Sequence, residues 1–154
     1  MPFISVTRLR VRSFLYLPPF IVWVLKSSRQ AKHAEGFLGG RLMRENGRNI
    51  FWTLTLWQGD AAMNAYRTQG AHRSVMPKLL DWCDEASIAH WTQATAALPS
   101  WGQAYERMAK EGRPSKVKHP TPAHLAHQIP APRLGRIEAP LEPSNPSWHS
   151  HLLA

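Results

Sequence analysis

The chain has 154 residues, a formal net charge of +9 and a single cysteine, Cys83. This length fits one ordinary domain, and one cysteine excludes an intrachain disulfide framework and fits a reducing, cytoplasmic location. The arginines and lysines are dispersed and show no zinc-finger, RNP or basic-heptad pattern, so we expect no specific nucleic-acid partner.

The first segment of the chain predicts a strand followed by a helix. Residues 3–13 alternate with period two, which places three arginines on one side of a strand. The double proline at residues 18–19 suits the first turn of a helix, where a missing N–H costs nothing. Apolar spacing then continues the helix over residues 19–34, and Gly36 is a natural stop.

The apolar run FLYLPPFIVWVL, residues 14–25, resembles a signal or membrane anchor because arginines precede it. It is shorter than the roughly 20 apolar residues that a bilayer span requires, the double proline interrupts it, and no small-residue cleavage site follows. We therefore expect a buried helix here and no membrane partner, with a secretion signal as the alternative.

The next segment predicts a hairpin. Asn46 and Gly47 stand between two alternating apolar runs, and both residue types tolerate the positive φ of a type I′ turn. The second run carries large groups on both faces of a strand, so we expect it to be covered on both sides. One face has Ile50, Trp52, Leu54 and Leu56, and the other has Phe51, Thr53, Thr55 and Trp57.

A broken helix and a fourth strand complete this region. Asp60 is a suitable N-cap for a helix that runs to Gly70. Ser74 can cap a second piece with Pro77 in its first turn, where proline is tolerated. Residues 86–94 then alternate as a strand.

The element order is βαββαβ, which predicts an α+β, ferredoxin-like fold: a four-stranded antiparallel sheet with helices on one face. The other face would be open and apolar. A second subunit should then cover it, so we expect a homodimer in which two sheets pair.

Composition divides the chain into three segments. Residues 1–97 predict the ferredoxin-like domain, and residues 98–112 a short helical strap with suitably spaced apolar residues. Residues 113–154 are proline-rich and carry little apolar material to offset the ordering entropy, so we expect an extended or disordered tail.

The stretch FWTLTLWQGDAAMNAYRTQGAHRSVMPKLLDWCDEASIAHW resembles the antibiotic-biosynthesis-monooxygenase-like superfamily of dimeric α/β barrels, and within it the uncharacterised bacterial domains near spheroidene monooxygenase. The matching features are the strand at residues 53–57, the acidic residue Asp60 at the helix start, and His72 near the helix break. The resemblance covers roughly residues 3–95.

The resemblance implies a homodimeric α/β barrel with a pocket between sheet and helices. In the family's monooxygenases neither metal nor flavin is required, because an electron-rich phenol or anthrone is deprotonated and itself reduces dioxygen. It thus implies a monooxygenase-like oxidoreductase that binds a flat hydrophobic or phenolic small molecule without a cofactor. Since some relatives bind haem, the alternative is a non-catalytic module that binds a ligand or haem.

His72 is the candidate catalytic residue. A neutral imidazole accepts a proton from an acidic phenol near neutral pH, and a position near a helix start favours the neutral form. The alternative is that its ring nitrogens only order the loop. Arg73 could hold an anionic substrate oxygen, with a solvated side chain as the alternative.

The other candidate binding residues are aromatic or histidine. Three tryptophans could form an apolar stacking wall, a tyrosine could donate to a ligand oxygen, and a histidine on the last strand could face the pocket, with core packing as the alternative throughout. They are Trp52, Trp57, Trp91, Tyr66 and His90. The tail histidines lack the cysteines and ordered frame of a zinc site, so we expect no metal.

Overall fold

The computed structural model describes residues 1–135 and 137–144. Its strands are β1 Phe3–Val11, β2 Phe37–Arg44, β3 Ile50–Trp57, β4 Cys83–Thr92, β5 Arg113–Pro114 and β6 Ile137–Leu141. Its helices are α1 Leu17–His33, α2 Asp60–Arg67, α3 Gly70–Trp82, α4 Trp101–Glu111 and α5 Pro122–Leu125, and a short 3-10 helix, Phe14–Tyr16, precedes α1.

The sheet is antiparallel and has six strands in the order β5-β4-β1-β3-β2-β6. The four central strands have the ferredoxin-like order that the element pattern predicts. The predicted number of four is wrong, because the proline-rich segment adds β5 beside β4 and β6 beside β2. Backbone N–H and C=O groups at a sheet edge pair with any extended segment that reaches them, and composition does not reveal this.

Helices α1, α2 and α3 pack on one face of the sheet, here called the helix-side face. Two separate apolar clusters form there. One surrounds Trp57 and Phe37 at one end of the strands, and the other surrounds Phe20 and Cys83 at the opposite end. The candidate site lies between these two clusters.

Helix α4 packs on the opposite face, here called the α4-side face, so the expectation of helices on one face only is wrong. Trp101, Ala104 and Met108 share one side of α4 and pack against the buried side chains of the central strands. Strand β3 is thus covered on both sides, as its alternation predicts. A segment of the same chain covers the apolar face that we assigned to a second subunit.

Helix α1 is only half buried, which corrects the expected buried helix. Phe20 packs against the sheet and is 2% exposed, whereas Leu25 is 64% exposed. The helix lies on the surface of the layer, so one side of it meets the sheet and α3 while the other side faces outward. Among the described residues, none of the helices has the length and apolar composition that a membrane span requires.

The hairpin between β2 and β3 is present, but its turn is not the predicted type I′. Gly47 has φ +68°, and among the described residues His127 is the only non-glycine with positive φ, so Asn46 has none. The N–H of Arg48 donates to the carbonyl of Glu45. One positive φ at the second central position is the pattern of a type II turn.

The segment after α4 crosses the α4-side face. The N–H groups of Ser115 and Thr121 donate to carbonyls of β4, Ile129 packs against the apolar cluster beneath α4, and the N–H of Arg133 donates to the buried Glu45 carboxylate. The N–H of Ser144 then donates to the carbonyl of Lys32 at the end of α1. The division into domain, strap and tail stays a prediction, and residues 145–154 of the tail lie outside the described residues.

Candidate functional site

Four hydroxyl side chains lie between the two apolar clusters on the helix-side face. Ser5 pairs with Thr55, and Thr7 pairs with Thr53, in the register of β1 and β3. We call these four residues the hydroxyl strip. Thr55 is buried, but the other three are only partly so, which means that the helices do not seal this part of the sheet. The helix-side face of the sheet is therefore polar at its centre.

A row of rings leads from the sheet to the start of α3. The Trp57 ring lies 5.1 Å from that of Phe37 and 5.0 Å from that of Tyr66, and the Tyr66 ring lies 4.9 Å from that of His72, all between centroids. These spacings are typical of attractive ring pairs. The aromatic row, Phe37–Trp57–Tyr66–His72, places His72 at the edge of an apolar wall.

Two polar atoms beside this row are buried without hydrogen-bond partners among the described residues. They are the Nε1 of Trp57 and the Oγ of Ser27. Ser27 lies on α1, and its carbonyl accepts a 3.2 Å hydrogen bond from the Tyr66 hydroxyl. Burial raises the Tyr66 pKa, so this hydroxyl stays a donor. A buried donor without an acceptor costs about 1–3 kcal/mol, which a water molecule or a ligand oxygen would offset.

The break between α2 and α3 is held by one glutamine of α1. The Gln30 Nε2 donates to the carbonyls of Tyr66 and Gln69, at 2.9 and 2.8 Å, and its Oε1 accepts from the N–H of His72 at 2.9 Å. Gly70 has φ +56°, and an added Cβ would lie 3.1 Å from Gln30 Cδ. Glycine is therefore required here, and it starts α3 four residues before the predicted cap at Ser74.

His72 lies in the first turn of α3, so Pro77 stands inside this helix and not in its first turn. The Nδ1 of His72 lies 3.3 Å from the carbonyl oxygen of Arg67. Because a carbonyl only accepts, this contact assigns the proton to Nδ1 and leaves a lone pair on Nε2. Burial lowers the His72 pKa, and this outweighs the carbonyl contact. The ring both orders the break and presents a basic nitrogen.

Stability should fall as the pH drops below about 6.5, the ordinary pKa of histidine. Since the folded protein holds His72 at a lowered pKa, the unfolded chain binds its proton first, and the loss is complete once the pH is below the folded pKa. Urea denaturation at pH 7.5 and pH 5.5 measures this difference. The His72→Gln substitution should make this difference in stability smaller. A part of the difference should remain, because the pKa of His90 is also lowered. If the stability difference between pH 7.5 and pH 5.5 is the same in the variant as in the wild type, it does not come from His72.

His90 lies on the helix-side face, opposite Ser5 in the register of β4 and β1. Its ring lies 5.3 Å from that of Phe3, which belongs to the Trp57 cluster. Burial lowers its pKa, and the charges of Arg113 and Arg67 add to the effect. His90 is thus a neutral polar group beside the hydroxyl strip.

Three predicted binding residues are elsewhere. Trp52 and Trp91 lie in the apolar cluster of the α4-side face, where the Trp52 Nε1 donates to Glu45 at 2.9 Å. Residues 52 and 57 are an odd number of positions apart on β3, so their side chains point to opposite faces. Arg73 is exposed. The structure brings together Trp57, Tyr66, His72 and His90 on one side of the sheet.

A groove of about 640 Å³ runs between the end of α1 and α2, and Tyr66 lines it. Its other polar walls include Lys26, Arg29, His33 and Glu35. The excess of cationic groups favours a ligand with a negative or partly negative oxygen. Tyr66 therefore connects the groove to the aromatic row.

Metal and thiol chemistry have little basis in the described part of the chain. Residues 1–135 and 137–144 contain no group of three or more histidine, cysteine or acidic side chains placed to hold a metal ion. Cys83 is buried, and burial raises the pKa of its thiol to about 12. A thiol held protonated is a poor nucleophile.

Sequence reasoning missed several residues of this site. The hydroxyl strip alternates with apolar residues as any half-buried strand does, and only the pairing of β1 with β3 shows that its members meet. Gln30 and Ser27 are ordinary polar residues of a helix. The polar amide of Gln30 on the side of α1 that faces α3 is the one signal that could have been recognised.

The fold is that of antibiotic-biosynthesis-monooxygenase-like proteins, as comparison with solved structures shows. SnoaB, a cofactor-independent oxygenase from Streptomyces nogalater, superposes with a TM-score of 0.52 at 17% identity, over 64% of this chain and 98% of that one. A conserved protein from Methanosarcina mazei Go1 gives 0.54 at 14%, over 61% and 94%. A structure described as an antibiotic biosynthesis monooxygenase gives 0.54 at 7%, over 60% and 99%.

These identities show the fold alone. The fold that the superfamily resemblance implies is confirmed, and the narrower resemblance to spheroidene-monooxygenase-like domains stays a prediction. No family model and no curated protein matches the chain.

Proposed function

We propose that the chain binds a flat hydrophobic or phenolic molecule between its sheet and helices α1–α3, and that it is a monooxygenase-like oxidoreductase. The observation that carries this proposal is the buried, unpartnered Trp57 Nε1, for which the described residues supply no acceptor, in an aromatic row that ends at His72. A phenolic oxygen supplies the acceptor, and the rings supply a stacking wall.

In this proposal His72 takes the substrate proton. Its Nε2 lone pair is available because Nδ1 faces the Arg67 carbonyl, and burial keeps the ring neutral. Loss of the proton makes the phenol electron-rich enough to reduce dioxygen. The ring supplies all four electrons: one oxygen atom becomes the second carbonyl of a quinone, and the other leaves as water with the hydrogens of the phenol O–H and of the attacked ring carbon. No cofactor is part of this proposal, and the fold comparison supports it in so far as SnoaB is described as cofactor-independent.

The remaining polar groups orient the ligand. The hydroxyl strip and His90 offer donors and acceptors along the floor, while Tyr66 is committed to the Ser27 carbonyl. The cationic end of the α1–α2 groove favours the phenolate over the phenol. Trp52 and Trp91 lie on the α4-side face and Arg73 is exposed, so this proposal gives these three residues no role in binding.

Trp57→Phe tests the binding proposal. It keeps a ring in the row and removes the N–H, so the Kd of a bound anthrone or naphthol should rise up to roughly tenfold, the equivalent of one hydrogen bond. Fluorescence titration measures the Kd. Trp91→Phe is the matched control on the other face and should leave Kd unchanged. Equal effects of the two substitutions would place the ligand elsewhere.

The second candidate is a module that binds its ligand without turnover. It is favoured by the His72 contact with Arg67, since this contact orders the helix break whether or not the ring takes a proton. Oxygen uptake with an electron-rich phenol separates the two functions. A Soret band on titration with haem would instead establish the haem-binding alternative.

Homodimerisation and a cytoplasmic location stay predictions. The resemblance to dimeric barrels supports a homodimer, whereas α4 already covers the apolar face that suggested one. Sedimentation equilibrium measures the mass and decides between a monomer and a dimer.

A further inference from the structure

Large apolar side chains are exposed along the outer surface of the 3-10 helix and the first half of α1. Leu15 is 84% exposed and Leu25 64%. The α1 patch consists of Phe14, Leu15, Ile21, Val22 and Leu25. Scattered exposed leucines are ordinary on proteins, but five large apolar residues exposed within twelve positions are a concentration that indicates an interaction surface.

Basic residues flank this patch. Lys26, Arg29 and Lys32 occupy the second half of α1, and among the described residues none of the three is in an ion pair. The ammonium groups of Lys26 and of Lys78 on α3 lie 4.6 and 5.7 Å from the centre of the Trp23 ring. The first acidic residue of the whole sequence is Glu35.

The charges limit what can cover the patch. A second copy docked through the same surface would bring two sets of unpaired cations together with no carboxylate between them, which is unfavourable. A negatively charged surface complements the cations. The patch is also convex, because its side chains project from one helix and the turn before it, and a lipid surface accepts such a wedge without a matching groove.

We propose that the α1 patch and its basic flank dock the protein on an anionic membrane surface. The apolar side chains enter the boundary between headgroups and acyl chains, and the cations contact lipid phosphates and carboxylates. The apolar run of residues 14–25 is too short to span a bilayer, but a helix that lies flat on a membrane surface does not need that length. Lys26 and Arg29 also line the α1–α2 groove, so docking places the groove mouth at the level of the headgroups.

Flotation with vesicles tests the proposal on the full chain. Binding to vesicles of phosphatidylcholine with 30% phosphatidylserine should exceed binding to pure phosphatidylcholine, and 0.5 M salt should weaken it, because the cations and the anionic lipid are screened from each other. Absence of binding at low salt overturns the proposal.

Matched variants distinguish vesicle binding through the α1 patch from vesicle binding through the general positive charge of the protein. The double variant Leu15→Gln/Leu25→Gln and the double variant Lys26→Glu/Arg29→Glu should each reduce binding about tenfold or more. The controls are Leu134→Gln/Ile137→Gln and Lys110→Glu/Lys116→Glu, which alter exposed residues of the same types elsewhere. Equal losses in variants and controls overturn the proposal.

Two further outcomes also overturn it. If the Leu15→Gln/Leu25→Gln variant dissociates a complex of two chains, a second copy covers the patch. If a polyglutamate peptide competes with vesicles and the leucines have no influence, an acidic protein is the partner. The proposal does not depend on the proposed function, since vesicle binding needs no ligand.

Discussion

His72→Gln should reduce turnover of a phenolic substrate by roughly 100- to 10,000-fold, the contribution of a positioned general base. Glutamine is similar in length and its amide can donate to the Arg67 carbonyl, so the helix break should persist. Because burial lowers the His72 pKa, the wild-type rate should hold to below pH 6.5 before it falls. Initial rates of oxygen uptake, measured from pH 5 to 8, test both statements.

The control for this substitution is His33→Gln. His33 makes the same kind of contact, with its Nδ1 2.8 Å from the carbonyl of Arg29, but its side chain is exposed on the outer end of α1. His33 also lines the α1–α2 groove but is not part of the aromatic row, so its substitution can alter the affinity for the substrate while kcat stays at the wild-type value. If the two variants behave alike, His72 is a structural residue and the binding module becomes the better description of the protein.

Trp101→Ala should lower the free energy of unfolding by about 3–5 kcal/mol, as for other large aromatic residues removed from a core. Trp101 is 7% exposed, packs on the α4-side face of the sheet, and donates from Nε1 to Glu138 of β6 at 3.0 Å. The substitution therefore opens a cavity and also removes a hydrogen bond that holds β6 against α4. Urea denaturation followed by circular dichroism measures the loss.

Glu106→Ala is the control on the same helix, because Glu106 is exposed and should change stability by less than about 0.5 kcal/mol. Uncovering the apolar face should also make the Trp101→Ala variant associate at concentrations where the parent does not. A variant as stable as the parent would mean that α4 contributes little to the fold. The face would then be free for a second subunit.

The central fold could be predicted because local patterns determine it. Alternation in β1 and β3, the Asn46–Gly47 turn and the helix break specify a βαββαβ order, and only a few sheet arrangements satisfy that order. The positions of α4, β5 and β6 depend instead on contacts distant in sequence. Pro77 was misplaced because proline was assumed to begin a helix, whereas Gly70, the first residue of α3, and Gln30 of α1 fix that start.

Part of the candidate site could be predicted because the residues concerned are close in sequence. Tyr66 and His72 are close in sequence on either side of one break, so their contact is nearly local. Trp52 was assigned with Trp57 despite the odd spacing that separates them in a regular strand, and Trp91 directly follows His90, so these two could not both face the pocket. Applied strictly, the alternation would have corrected both assignments.

The outermost strands have a consequence for how the protein behaves at high concentration. Pro114 lies in β5 and Pro140 in β6, one at each end of the sheet. A proline has no N–H to donate, and β5 has only two residues, so neither border offers a continuous ladder to a further strand. The proline-rich composition that suggested disorder thus protects the sheet against growth into fibrils.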